Sequence, residues 1–255
     1  MKMPVVFVGH GSPMNIIEKN RFTKTWSEIA LQIPEPKAIL CVSAHWYTEG
    51  QYISTNPQPQ TIYDFYGFPK DLYRIVYPAK GEPEIAQRVK DLLGDDVQTD
   101  AQQGLDHGAW SVLKFMFPKA NIPVLQLSVD RLNSAEESYK IGQKLKILRE
   151  EGVLVVGSGD VVHNLRLVSW DKENGYDWAD SFDEYIKKAI LSYDIENIIN
   201  YQNAGEEEQK SFYFRDHFDP LLYCLGSVDK EDKVEIYNDE RVMGALSMTS
   251  YLWKE

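Results

Sequence analysis

The chain has 255 residues, 43% of them hydrophobic, with 39 acidic against 27 basic side chains and a formal net charge of −12. That composition suits a folded globular protein and excludes a disordered, collagen-like or disulfide-bonded scaffold. It leaves no basic excess to neutralise phosphates, so no nucleic-acid partner is expected, and no apolar run approaches the roughly 20 residues that span a bilayer.

In chain order, the N-terminal MKMPVVFVGHGSPMN holds too short an apolar stretch for a signal-peptide core, and Pro4–Val8 reads as a first strand. Lys37–Ser43, Pro123–Ser128 and Val153–Gly157 are further β-branched runs, apolar on both faces as buried strands are. Helical periods separate them. Glu82–Leu93 places Ile85, Val89, Leu92 and Leu93 on one face, with Pro83 in the first turn. Trp110–Phe117 is stopped by Pro118. Ser134–Glu150 opens on a capping pair, Ser134 with Glu137, and Gly152 follows its end. Trp178–Tyr201 is the longest helical candidate, and Lys233–Tyr237 and Ala245–Leu252 are strand-like. Asn56–Gln60 reads as a loop and Glu206–Lys210 as a solvated charged stretch.

Strands alternating with helices predict an α/β fold. A largely parallel central sheet is covered by helices on both faces, with helical and strand additions at the C-terminus, in a single domain over residues 1–255. The two cysteines, Cys41 and Cys224, sit far apart in apolar surroundings. They read as buried free thiols in a reducing compartment, which places the chain in the cytoplasm.

The five histidines carry the most information. They fall in VGHGSPMN (His10), SAHWYT (His45), GLDHGAW (His107), GDVVHNL (His163) and RDHFDPLL (His217), each read as a turn or strand end. His10, His45 and His163 follow apolar strands closely. Ligands of open α/β sheets bind outside the carboxyl ends of such strands, so these three converge on one rim. His10 lies between two glycines, and His45 stands beside Trp46. His217 has the weakest local case, because DHFDP could be a helix start capped by Asp219. Neutral imidazole is the commonest protein metal ligand, and iron and zinc both accept it. The separations match no local motif such as HExxH, so any such site is assembled by the fold.

Other chemistries fit less well. GSGDVV lacks both GxGxxG and the lysine of a P-loop. Ser12, close to His10, could mimic a nucleophile pair, but no GxSxG elbow surrounds it.

The motifs FVGHGSPMN (7–15), ILCVSAHWYT (39–48), IYDFYGFPKDLY (62–73), YPAKGEP (77–83), GLDHGAW (104–110), PVLQLSVD (123–130), GSGDVVHNL (157–165), SFDEYIK (181–187), HFDPLLYCLG (217–226) and GALSMTS (244–250) run in order from end to end. With them the chain resembles the class III extradiol ring-cleavage dioxygenase superfamily, in its 4,5-DOPA extradiol dioxygenase-like branch. The resemblance implies one divalent metal held by His10, His45 and His217. Histidine takes a third place where the wider superfamily often has a carboxylate. Fe(II) is the ion expected for activity, and three histidines with an open position also suit Zn(II). It further implies His163 as the acid–base residue and His107 as a second histidine contacting substrate or oxygen. Asp106 and Asp160 are candidates for orienting those rings, and Trp46, Tyr63 and Trp110 for flanking a planar substrate.

The activity so implied is cleavage of a catechol, a small aromatic diol such as DOPA, with O2 to a muconic semialdehyde. Two alternatives compete: a metal-binding interaction protein of the same fold without oxygenase activity, and a zinc-dependent hydrolase. The first has no use for His163 and His107 together.

Overall fold

In the computed structural model, which describes residues 2–255, the apolar runs assemble into one eight-stranded sheet. The strands are β1 (Val5–Gly9), β2 (Ala38–Thr48), β3 (Gln51–Ser54), β4 (Val97–Asp100), β5 (Val124–Asp130), β6 (Val153–Gly159), β7 (Lys233–Tyr237) and β10 (Ser250–Lys254). Between the last two lies a short ribbon of β8 (Arg241–Val242) and β9 (Leu246–Ser247). The sheet order is β4-β3-β5-β2-β6-β1-β10-β7. Its centre, β5-β2-β6-β1, is parallel, and those strands are buried almost throughout. Antiparallel pairing is confined to β3 on β5 and to the β1-β10-β7 edge.

The helices are α1 (Arg21–Ala30), α2 (Pro83–Leu93), α3 (His107–Met116), α4 (Ala135–Leu145), α5 (Asp177–Leu191), α6 (Ile195–Ile199), α7 (Glu208–Ser211) and α8 (Asp219–Ser227). Strand alternation sends neighbouring residues to opposite faces. Val6 and Val8 join Trp26 of α1 and Trp110 and Leu113 of α3. Val5 and Phe7 join Phe182 and Ile186 of α5 and Leu221 and Leu222 of α8. Further along the sheet, Leu40 and Val42 pack with Val89 of α2 and Leu145 of α4. Helices therefore cover both faces, as the sequence pattern predicts.

Three expected elements are each broken in two, for local reasons. Ser134 and Glu137 do form a capping box, but the α-helix ends at Leu145 and a 3-10 turn, Lys146–Arg149, completes the segment. Trp178–Tyr201 is not continuous. Tyr193 takes φ 54°, α5 stops before it, and Asp194 caps α6 by accepting a hydrogen bond from Asn197 N at 3.1 Å. Ala245–Leu252 divides into β9 and the first part of β10. The sequence reading omitted α1, although Asn20 caps it and Phe22, Trp26 and Ile29 line one face. It also omitted the short edge strands β3 and β4.

Since β1, β2 and β6 run parallel, their carboxyl ends share one rim, and the chain's third part returns across it. Gly159, the last residue of β6, sits where a Cβ would lie 2.1 Å from the carbonyl oxygen of His217. The next residue, Asp160, donates its N–H to that same oxygen at 2.9 Å. Gly159→Ala is therefore expected to push the His217 backbone off the rim, costing about 1–3 kcal/mol as overpacking does. Thermal unfolding together with a divalent-metal titration checks this: both Tm and metal affinity should fall, and an unchanged affinity would show that the close approach does not place His217.

Candidate active site

All five histidines meet at this rim, by different local routes. His10 follows β1 directly, and Gly11, at φ 60°, turns the chain away with its N–H donated to Asp160 Oδ1 at 3.0 Å. His45 lies within β2 rather than at its end. The pairing register of β2 on β5 shifts between Val42 and Tyr47, an irregularity of the kind that re-aims a side chain. His107 is the first residue of α3, not a loop residue, so the histidines are not all at turns and strand ends. His163 lies beyond β6, and His217 stands two residues before α8.

Three rings form a nearly equilateral triangle. Centroids of His10 and His45 are 5.1 Å apart, of His10 and His217 5.1 Å, and of His45 and His217 5.0 Å. One imidazole nitrogen from each lies within 4.8 Å of the other two. The tautomers follow from their partners. Ser158 donates its single hydroxyl proton to Gly108 O at 2.7 Å, so His10 Nδ1, 3.0 Å from Ser158 Oγ, must be the donor there. Its Nε2 then carries a lone pair. His45 Nδ1 faces Asp64 Oδ2 at 3.1 Å, an acceptor-only group, so Nδ1 is the donor there and Nε2 carries the lone pair in the neutral ring.

These two Nε2 atoms are 3.2 Å apart. Two lone pairs would repel at that distance, and a shared cation, a proton or a metal ion, converts the repulsion to attraction. With metal–nitrogen bonds of about 2.0–2.1 Å, ligand atoms at tetrahedral or octahedral angles stand about 2.8–3.4 Å apart. His217 adds a buried Nε2 that makes no hydrogen bond, with its Nδ1 3.2 Å from Asp216 Oδ1. The donor set therefore fits one divalent metal.

The other two histidines flank the triangle. His163 stacks on His217, with centroids 3.4 Å apart and planes 5° apart. His107 lies 3.8 Å from His45 by centroid, and Phe65 meets it edge-on at 5.3 Å. Burial first, then neighbouring histidines, holds His10 and His163 well below the ordinary imidazole range. At His45 burial acts in the same direction, but the Asp64 hydrogen bond and nearby carboxylates outweigh it and raise the pKa.

Residues 3–253 match the family described as the catalytic LigB subunit of aromatic ring-opening dioxygenase. A 4,5-DOPA dioxygenase extradiol of Escherichia coli (strain K12) is 43% identical, over 98% of this chain and 94% of that protein. The protein of the same name from Beta vulgaris is 36% identical, over 96% and 94%. The crystal structure of an uncharacterized protein from Escherichia coli K12 superposes with a TM-score of 0.86 at 39% identity, covering 98% of this chain and 99% of that one. The chain belongs to this family. It is a ring-cleaving dioxygenase of the class III extradiol branch.

Within this dioxygenase, several residues take roles that the sequence left open or assigned elsewhere. Asp106 caps α3, accepting from Ala109 N at 3.0 Å, Ser43 Oγ at 2.6 Å and Gln126 Nε2 at 2.6 Å. Asp160 holds the Gly11 turn with one oxygen, and it groups with His163 and His217 within 4.8 Å. Trp46 alternates to the opposite side of β2 from His45 and packs 6.5 Å from Tyr52. Trp110 is fully buried in the core and donates Nε1–H to Ile62 O at 2.8 Å. Tyr63 ties its hydroxyl to Ile75 O at 2.7 Å. Ser12 Oγ accepts from Met14 N at 3.2 Å, capping a 3-10 turn rather than serving as a nucleophile. Asp219 is the first residue of α8, with Phe218 at the cap position, and its carboxylate makes no hydrogen bond.

Three functional neighbours escaped the sequence reading: Phe65, Asp64 and Asp216. The first two lie in IYDFYGFP and the third directly before His217. For Asp216 the available signal was a carboxylate directly beside a candidate histidine; no such signal marked Asp64 or Phe65. A fourth is Asp183 of α5, fully buried. It accepts from Ser247 Oγ and from Thr249 Oγ1 at 3.0 Å. Ser247 N donates to Val162 O at 2.9 Å and Asn164 N to Ala245 O at 3.1 Å. The motifs SFDEYIK and GALSMTS thus clamp the loop that carries His163.

Proposed function

We propose that the enzyme cleaves the ring of a catechol of the DOPA type with O2, yielding a muconic semialdehyde, with one divalent metal held by His10, His45 and His217. Fe(II) is the ion that suits the reaction. The observation that carries this reading is the histidine triangle, in which one imidazole nitrogen of each ring lies within 4.8 Å of the other two. When bound, the metal supplies charge stabilisation for the deprotonated diol and a path for electrons between diol and O2.

The chain's own residues do the rest. His163 is neutral at pH 7 and accepts a phenolic proton, then returns it when the ring opens. Its buried position, stacked on His217, favours that return, because burial and the neighbouring rings disfavour a cationic imidazole there. His107 presents Nε2 to the substrate or to oxygen, since its Nδ1 is directed at Asp64. Phe65 adds an apolar edge beside it, which suits a planar aromatic substrate.

The names of the related proteins support DOPA as the substrate, and no observation favours a hydrolase or a non-enzymatic binding protein. Cys41 and Cys224 are both buried and free, which supports a reducing, cytoplasmic setting. Among the described residues no helix is long and apolar enough to cross a membrane.

The test is direct. Protein loaded anaerobically with Fe(II) should consume O2 on mixing with DOPA and form a yellow ring-opened product, one O2 for each catechol. Absence of uptake with DOPA and simpler catechols, with iron confirmed bound, would overturn the proposal.

A further inference from the structure

Asp64 lies in the extended segment between Thr61 and the turn at Gly67, outside every strand and helix. Its backbone is nevertheless fixed from both sides. Ile62 N donates to Leu105 O at 2.7 Å and Leu105 N to Gln60 O at 2.8 Å, while Trp110 Nε1 and the Tyr63 hydroxyl anchor the same stretch. The side chain then reaches two histidines at once. Asp64 Oδ2 is 3.1 Å from His45 Nδ1 and 2.9 Å from His107 Nδ1. The other oxygen, Oδ1, accepts the backbone N–H of His107 at 2.8 Å.

We infer that Asp64 is a positioning residue that fixes His45 and His107 together, giving both the Nδ1–H tautomer and directing both Nε2 atoms into the site. The argument is one of donors and acceptors. A carboxylate oxygen can only accept, so each ring facing it must present N–H, and in the neutral ring the remaining nitrogen carries the lone pair. Outer carboxylates of this kind set the orientation and basicity of a ligating histidine. Here one oxygen serves two rings with different tasks. His45 is assigned to the metal and His107 to substrate or oxygen, so the position of one is tied to that of the other. With their centroids 3.8 Å apart, neither ring can swing without displacing the shared carboxylate. Asp64→Asn keeps the shape but has one accepting oxygen where the carboxylate has two, so it cannot accept from both rings and from the His107 backbone N–H together.

The inference rests on the proposed function only in giving His45 to the metal. Its test separates the two. Long-range 1H–15N correlation spectra of the metal-free protein report imidazole tautomers directly, and His45 and His107 should both appear as Nδ1–H. In Asp64→Asn at least one should become a mixture of tautomers. Co(II) affinity, measured by competition with a chelator, should fall about 10–100-fold, the usual effect of losing an outer partner, with a shifted Co(II) absorption spectrum. A merely structural aspartate would lower Tm and leave the tautomers and the Co(II) spectrum of the folded variant unchanged.

If His45 or His107 in the unsubstituted protein carries its proton on Nε2, the inference is wrong, whatever the variant does. It also fails if Asp64→Asn keeps both tautomers and binds Co(II) within twofold of the original affinity. Nδ1–H tautomers that depend on Asp64 in a protein inert toward catechols would refute the function and leave this role standing.

Discussion

Replacing His217 with alanine is expected to abolish tight metal binding while leaving the metal-free fold intact. One of three ligand nitrogens is lost, so affinity should fall by more than the roughly 10–100-fold that removal of an outer partner costs. The fold loses less. The ring is buried with both nitrogens outside any hydrogen bond, and burying an unpaired polar group costs about 1–3 kcal/mol, which offsets part of the packing removed. Thermal unfolding with and without metal is the measurement. The unsubstituted protein at 100 times its dissociation constant should gain about 2.7 kcal/mol, and His217→Ala should gain almost nothing at the same concentration. Equal stabilisation of the two would place the metal elsewhere. The same comparison for His10→Ala and His45→Ala should give the same pattern, because the three rings stand in equivalent positions around one centre.

His163→Gln should separate chemistry from metal binding. The side chain lies against His217 but is not one of the three triangle rings, so metal affinity should stay within about twofold. Glutamine keeps polar atoms near the site and cannot take and return a proton. Loss of a general acid–base group costs roughly 10²–10⁴-fold, and kcat on DOPA should fall by that amount. Single-turnover kinetics with the substrate and metal both bound would check it. A kcat within a few fold of the original would mean that another group moves the proton. Burial and the nearby histidine rings keep His163 well below the usual imidazole range, which leaves it neutral and able to accept at pH 7.

Much of this was legible in the chain. The four central strands announce themselves because both faces of a parallel sheet are covered, and their sequences are apolar without alternation. Pro83 and the Ser134–Glu137 pair mark helix starts that α2 and α4 use. The edge strands β3 and β4 were not legible: each is four residues long and takes its pairing from neighbours distant in sequence. Helix α3 begins earlier than its apolar period suggests, since Asp106 caps it through contacts with Ser43 and Gln126 that no local pattern reveals.

The candidate site divides in the same way. Residue type and the order of motifs singled out the five histidines, and the parallel strands directed three of them to one rim. Those properties depend on local propensity and on strand direction, which neighbouring residues largely dictate. Which nitrogens face inward, that Asp64 serves two rings, that Asp183 steadies the His163 loop through β9, and that Gly159 must be small for His217 to approach are tertiary facts. Each joins residues far apart along the chain, and hydrogen-bond direction and close contact exist only once the sheet has brought them within a few ångströms.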